Sequence, residues 1–304
     1  MNFIAANRRQ PAGVPNAHDI GPVEGAVLAF GGPYSNLQAL TAMRARAGDL
    51  GIPAARTICT GDVVAYGADP AATVELIRDW GVHVVAGNCE DALAADDDGC
   101  GCGFDAGTRC DLDARAWYAF TARRIDAAAR AWMASLPGVL RFSLAGRQVA
   151  VLHGAYSRIN RFVFASTPET VKREEARLAD ADVVVGGHSG LPFTQPLADG
   201  AIWHNPGALG LPANDGTPDV WYSVLTPDQD GGLGIAHHRL AYDHVEAAGR
   251  MRRAHLPEGY ARALETGRWP SDDILPADEK ATAGTALDAR RLGGLFAAPA
   301  AAAE

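Results

Sequence analysis

Three observations predict an α/β fold for this 304-residue chain. Short apolar runs, strand-like in length and composition, end in glycine-containing pairs. Segments with helical spacing of apolar residues lie between the first of these runs, so strand, helix and strand alternate. Beyond residue 200 the helical spacing gives way to further strand-like runs, which adds β structure to the second half.

Taken in order, the elements begin with a polar, Pro-containing leader over residues 1–25, followed by a strand from Ala26 to Phe30 and a helix from Leu37 to Gly48. A strand over Arg56 to Thr60, a helix over Ala71 to Trp80 and a strand over Val82 to Ala86 repeat the alternation. Residues 91–113 form a Cys-rich insert, and an Ala- and Arg-rich stretch from Ala114 to Ala134 reads as one long helix. Val139 to Leu144 and Arg147 to Leu152 flank Ala145-Gly146, a hairpin signal, since such a pair supplies the turn between antiparallel strands. Asp182 to Val185, Ala201 to His204, Val220 to Thr226 and Gly232 to Leu240 complete the strands, with Trp203 and Trp221 assigned to the core. The main domain is expected over 26–241. A charged helical extension over 242–304 follows, with a dimer contact among its possible roles and a frayed Ala-rich end.

Composition narrows the function classes. With 48% hydrophobic and 21% charged residues the chain has ample apolar content for one large domain. A net charge of −9 disfavours broad electrostatic binding to nucleic acid or to an anionic membrane. No apolar run reaches the length of a membrane span, and the N-terminal segment has no long apolar core after a basic start, so a cytoplasmic location is expected.

Four of the strand-like runs deliver polar side chains: Gly61-Asp62, Gly87-Asn88, His153-Gly154 and Gly186-Gly187-His188. The carboxyl ends of strands in an open α/β sheet are where ligands bind, so one carboxylate, one amide and two imidazoles would converge there. Asp62, Asn88, His153 and His188 make a mixed O/N set suited to Mn, Fe or Zn. A lone histidine after a strand is more often structural; the joint placement of four such residues overturns that reading.

The segments GDVVAYG, VVAGNCE, VLHG, GGHSGLPF and HNPGALGLP occur in the order found in the calcineurin-like metallophosphoesterase superfamily, and the chain resembles that family from Ala26 to Leu240. The resemblance implies a four-layer α-β-β-α sandwich of two mixed sheets and a metal-dependent phosphoric ester hydrolase acting on a small phosphorylated substrate. It also exposes departures. Where the family opens with Asp-x-His, this chain has Gly32 and Tyr34. Where the family has Gly-His-x-His, it reads Gly187-His188-Ser189-Gly190. All three ligands private to one metal are absent, and the other metal's set, Asp62, Asn88, His153 and His188, is complete, so one ion is favoured over two.

Asp62, Asn88, His153 and Glu90 are the expected catalytic group, Glu90 orienting its neighbours. Cys89 stands where many members carry a histidine that assists the leaving group, and a thiol is a poor substitute unless its pKa is shifted. Substitutes for the missing positive charge are expected from the Arg158 and Arg161 guanidinium groups, the Tyr34 hydroxyl and backbone amides around Gly31 and Gly32. The bland readings are a solvated surface for the arginines and a simple turn for the glycines. His204 is a second-choice ligand or acid, with a strand-end structural role as the alternative. Cys89, Cys100, Cys102 and Cys110 suggest either reduced thiols in a Gly-rich loop, a zinc or iron–sulfur knuckle, or a redox element. An odd count of five cysteines argues against a disulfide framework. Besides the hydrolase, two other readings stand: a catalytically impaired binding or regulatory protein on the same fold, and a redox or metal protein built on the insert.

Overall fold

The computed structural model describes residues 15–297. Along the chain run β1 (Ala17–Pro22), β2 (Val27–Phe30), α1 (Leu37–Asp49), β3 (Thr57–Cys59), α2 (Pro70–Trp80), β4 (His83–Val84) and α3 (Asn88–Ala94). Two helices, α4 (Arg109–Ala122) and α5 (Ala127–Ala134), lead into β5 (Val139–Leu144), β6 (Arg147–Leu152), α6 (Glu169–Leu178), β7 (Val183–Val185), β8 (Phe193–Pro196) and β9 (Ile202–Asn205). The chain closes with β10 (Val220–Pro227), β11 (Leu233–Leu240), α7 (His244–Arg253), α8 (Glu258–Thr266), α9 (Ala277–Thr282) and β12 (Gly294–Phe296).

These strands form two six-stranded mixed sheets, ordered β1-β5-β6-β7-β9-β8 and β12-β11-β10-β2-β3-β4. Alternation along each strand builds the layers, because successive side chains point to opposite faces. In β2, Val27 and Ala29 face a core shared with the other sheet, while Leu28 and Phe30 face a helical core. In β6, Val149 and Val151 enter the shared core, and Ala150 and Leu152 pack outward with Ala176 of α6. Three cores between four layers give the α-β-β-α sandwich that the resemblance implied.

Local chemistry fixes the element ends. Asn36 accepts from the Ala39 amide at 3.1 Å and caps α1. α2 starts with Pro70 at its first turn and stops at Gly81, which takes the left-handed conformation at φ +72°. The predicted hairpin forms in register, Leu144 opposite Arg147, with Ala145 and Gly146 both at positive φ.

Several expectations need correction. The long helix over 114–134 is two helices, because Asp126 caps a fresh start by accepting from the Ala129 amide at 2.7 Å. The described part of the leader contains β1, which pairs in parallel with β5. The insert is shorter than 91–113: α3 takes its beginning and α4 its end. The extension is not only helical, since β12 pairs with β11 at the edge of the second sheet. Its helices are part of the main core, with Met251, Tyr260 and Leu264 buried alongside Leu40. Trp203 and Trp221 are core residues as expected, both 0% exposed. The first fourteen residues of the leader and the Ala-rich end after Ala297 lie outside the described residues. Among the described residues no helix is long and apolar enough to cross a membrane.

Candidate metal centre

The carboxyl ends of β3, β4, β6 and β7 meet where the two sheets approach, and each delivers one of the predicted polar residues. His153 Nε2 lies 3.0 Å from Asn88 Oδ1, 3.0 Å from His188 Nδ1 and 3.3 Å from Asp62 Oδ2. One ligand atom each from Asp62, His153 and His188 falls within 4.8 Å of the others, the only such group of His, Cys, Asp or Glu among the described residues.

The outer side of each side chain decides what its inner side presents. His153 Nδ1–H donates to the Thr60 carbonyl at 2.7 Å, so its Nε2 turns a lone pair inward. Asn88 Nδ2 donates to the Cys100 carbonyl at 2.9 Å, which turns Oδ1 inward. Asp62 Oδ1 accepts from the Cys89 amide at 3.0 Å, leaving Oδ2 free to face the centre. His188 is held by the Phe162 ring, stacked at 4.2 Å, and its buried Nε2 has no hydrogen-bond partner. Asn205 braces the loop that carries it, donating to the Gly187 carbonyl and the Ser189 hydroxyl. Acceptor atoms of Asp62, Asn88 and His153 therefore converge with Nδ1 of His188 in a buried space, and such acceptors repel one another unless a cation or proton sits among them.

Glu90 lies one layer further out. Its carboxylate accepts from the amides of Asp62 (2.7 Å), Val63 (2.9 Å) and Gly87 (2.9 Å), tying the ends of β3 and β4 together. Gly87 is required by close approach: a Cβ there would stand 2.3 Å from Asp62 Oδ1. Asp62 and His188 themselves have positive φ, +55° and +58°, held by these surrounding bonds.

Electrostatics follow from burial and proximity. Burial opposes a charge on His153, yet the Asp62 carboxylate across from it holds its pKa above the ordinary 6.5. Burial likewise opposes ionisation of Asp62, but His153 keeps that carboxyl below its usual range. Burial and then His153 depress His188 to about 3, so it is neutral at physiological pH. Burial and the Asp62 charge push Glu90 up to about 7. The Cys89 thiol, buried beside Asp62, is raised well above its ordinary value.

The remaining predicted residues fare differently. Tyr34 lines the cavity beside Asp62 and His188, with its hydroxyl kept neutral by burial and then by Asp62. The anion cradle expected around Gly31 and Gly32 is thinned to the Gly32 amide. Gly31 N–H is taken by the Gly207 carbonyl and Tyr34 N–H by the Asp62 carbonyl, while Pro33 has none to offer. Arg161 is not free for substrate, because it pairs with buried Glu175 at 2.8 Å. Arg158 is exposed, and neither arginine lines the cavity. Among the described lining residues there is no lysine or arginine. His204 is buried away from the centre, bonded to Thr194 and Ser223. The four insert cysteines form no metal-holding group among the described residues: Cys100 and Cys102 are joined by a disulfide, while Cys89 and Cys110 are free and buried. Sequence reasoning missed Thr60, Phe162 and Trp269, which act through a carbonyl or a ring face and carry no motif.

Fold and site together define a mixed α/β sandwich with a candidate metal centre at its strand ends. The model of the calcineurin-like phosphoesterase superfamily domain matches residues 40–230, and the chain belongs to that superfamily. The match begins inside α1, beyond the divergent Gly32-Pro33-Tyr34 turn. An uncharacterized protein of Methanocaldococcus jannaschii, MJ0912, is 26% identical over 251 residues, covering 77% of this chain and 95% of that one. The crystal structure of a metallophosphoesterase from Sphaerobacter thermophilus superposes with a TM-score of 0.61 at 23% identity, covering 80% of this chain and 98% of that one. Hypothetical protein PH1004 from Pyrococcus horikoshii OT3 gives a TM-score of 0.68 at 16% identity, with the same coverage of each chain.

Proposed function

We propose that the chain is a hydrolase of small phosphorylated substrates that works with one divalent ion of Mn, Fe or Zn, held by Asp62, Asn88, His153 and His188. The observation that carries this reading is the convergence of acceptor atoms from Asp62, Asn88 and His153, each engaged elsewhere on its outer side, with Nδ1 of His188. An ion held there supplies Lewis acidity toward a phosphoryl oxygen and acidifies a water. The chain's own residues do the rest: Thr60 fixes the His153 tautomer, Glu90 locks the two strand ends, and Asp62 provides the single carboxylate.

The preference for one ion rests on the three ligands missing at positions 32, 34 and 190, and the Tyr34 ring adds to it. At Gly32 a Cβ would meet Tyr34 Cε1 at 2.2 Å, so the tyrosine ring occupies the space an aspartate would need. Gly190 has φ +70°, and Trp269 lies 3.7 Å from where its Cβ would be. Trp269 is fixed there by bonds to the Pro212 carbonyl and Asn214 Oδ1. The double charge of an ion less the single charge of Asp62 leaves a positive centre, and a phosphoester anion matches it.

The test is metal content per chain by elemental analysis, run beside hydrolysis of aryl phosphate mono- and diesters. About one ion per chain, lost in Asp62→Ala together with turnover, is the expected result. No metal after exposure to Mn, Fe and Zn would overturn it. A second reading, a binding protein that kept the cleft, is favoured by Cys89, whose buried thiol holds its proton where the family places an acid. One bound ion with no turnover of any ester would select that reading.

A further inference from the structure

We propose that Cys100 and Cys102 are a redox-active pair whose oxidation state sets the metal affinity of the Asp62–Asn88–His153–His188 centre. The proposal rests on the metal reading above and adds a control to it. Both cysteines of the Cys100-Gly101-Cys102 turn touch Asn88 of the centre. Asn88 Nδ2 donates to the Cys100 carbonyl at 2.9 Å and faces Cys102 Sγ at 3.4 Å. Gly101 accepts from Asn160 Nδ2 at 2.8 Å. Cys102 also forms part of the cavity wall shared with Asp62 and His188, which gives a reductant its route.

An amide side chain is nearly symmetric in shape, so the direction in which Asn88 points its oxygen depends on what accepts its N–H groups. Here the Cys100 carbonyl and Cys102 Sγ, the two nearer acceptors, belong to the disulfide turn, and Cys89 Sγ lies farther off at 3.6 Å. Reduction replaces the S–S bond by a van der Waals contact, so the sulfurs separate and the turn shifts. Cys100 and Cys102 are only 7% and 5% exposed, and in close-packed surroundings that shift is transmitted to Asn88.

The step is thiol–disulfide exchange with a dithiol. One reductant thiolate attacks Cys102 Sγ, the S–S bond breaks, and its electron pair leaves on Cys100 Sγ, which takes a proton. The second reductant thiol then attacks the mixed disulfide, forming the reductant's own disulfide and releasing Cys102 Sγ, which is also protonated. Two electrons and two protons pass to the pair.

The experiment measures Mn²⁺ affinity by calorimetry on full-length protein, first oxidised, then reduced with dithiothreitol and desalted under argon, then reoxidised. Mn²⁺ is chosen because thiolates favour softer ions. Thiol titration in denaturant should count three free cysteines before reduction and five after, since five are present and two are paired. Loss of a positioning partner of a metal ligand typically weakens binding 10–100-fold, so reduction should raise the Mn²⁺ Kd by about tenfold or more, reversibly. Cys100→Ser/Cys102→Ser should bind as weakly as reduced protein whatever the treatment. If that variant does not fold, the wild-type cycle alone decides. Five thiols before reduction, or equal affinity in both states, would overturn the proposal while leaving the metal reading intact. No Mn²⁺ bound in either state would overturn both.

Discussion

At the centre, His153 Nε2 faces Asp62, Asn88 and His188 simultaneously, and a proton there takes the place of a cation. Because Asp62 raises the proton affinity of His153, protons compete with metal above the ordinary histidine range. Mn²⁺ affinity should therefore fall about tenfold per pH unit below that raised value, measurable by calorimetry between pH 5.5 and 8. Glu90 gives a second prediction. Its folded pKa of about 7 exceeds the ordinary 4.5, so between these values the folded protein holds a proton that the unfolded chain has released. The stability this group contributes is complete at low pH and is lost as pH rises through 7. Glu90→Gln cannot titrate and places its amide hydrogens against at least one of the three backbone N–H donors, which are shared between the two carboxylate oxygens, at a cost of about 1–3 kcal/mol. In metal-free protein its deficit against wild type, read from urea unfolding, should shrink as pH rises from 5 to 8.

Helices and strands show how far the chain could be read before its fold was known. The hairpin at Ala145-Gly146 and the capped α1 and α2 were legible because their determinants are local: turn residues, an asparagine cap, a proline and a terminal glycine. The break between α4 and α5 was missed because Asp126 in an Ala-rich stretch looks like one more exposed helical residue until its cap geometry is seen. β1 and β12 were missed because both owe their strand state to a partner far along the chain, β5 and β11. The C-terminal helices looked like an appendage, yet Tyr260 is 4% exposed and its ring stands 4.5 Å from that of Tyr66. Tyr260→Ala should therefore destabilise the whole domain by about 3–5 kcal/mol, the range for deleting a buried aromatic side chain. A single cooperative thermal transition with a lowered midpoint is expected; an unchanged midpoint would return the extension to the status of an appendage.

For the molecule as a whole, Cys89, beside the proposed metal centre, is buried with its thiol raised, so it gives up no proton to a leaving group near neutral pH. Hydrolysis should then depend steeply on the leaving group, with nitrophenyl esters turned over far faster than alkyl esters; equal rates for both would point to an acid elsewhere. The residues that converge at the centre and the layer order could both be read from sequence. Ligand residues stand at strand ends, where apolar periodicity stops, and periodicity is a local signal. Which outer groups turn those ligands inward could not be read, because Thr60 and Cys100 act through backbone carbonyls that every residue possesses. Nor could the sequence foresee that Arg161 would pair with Glu175, or that Tyr34 and Trp269 would cover the glycines at the second position. Those outcomes depend on distances between segments remote in sequence, and only packing of the whole chain sets them.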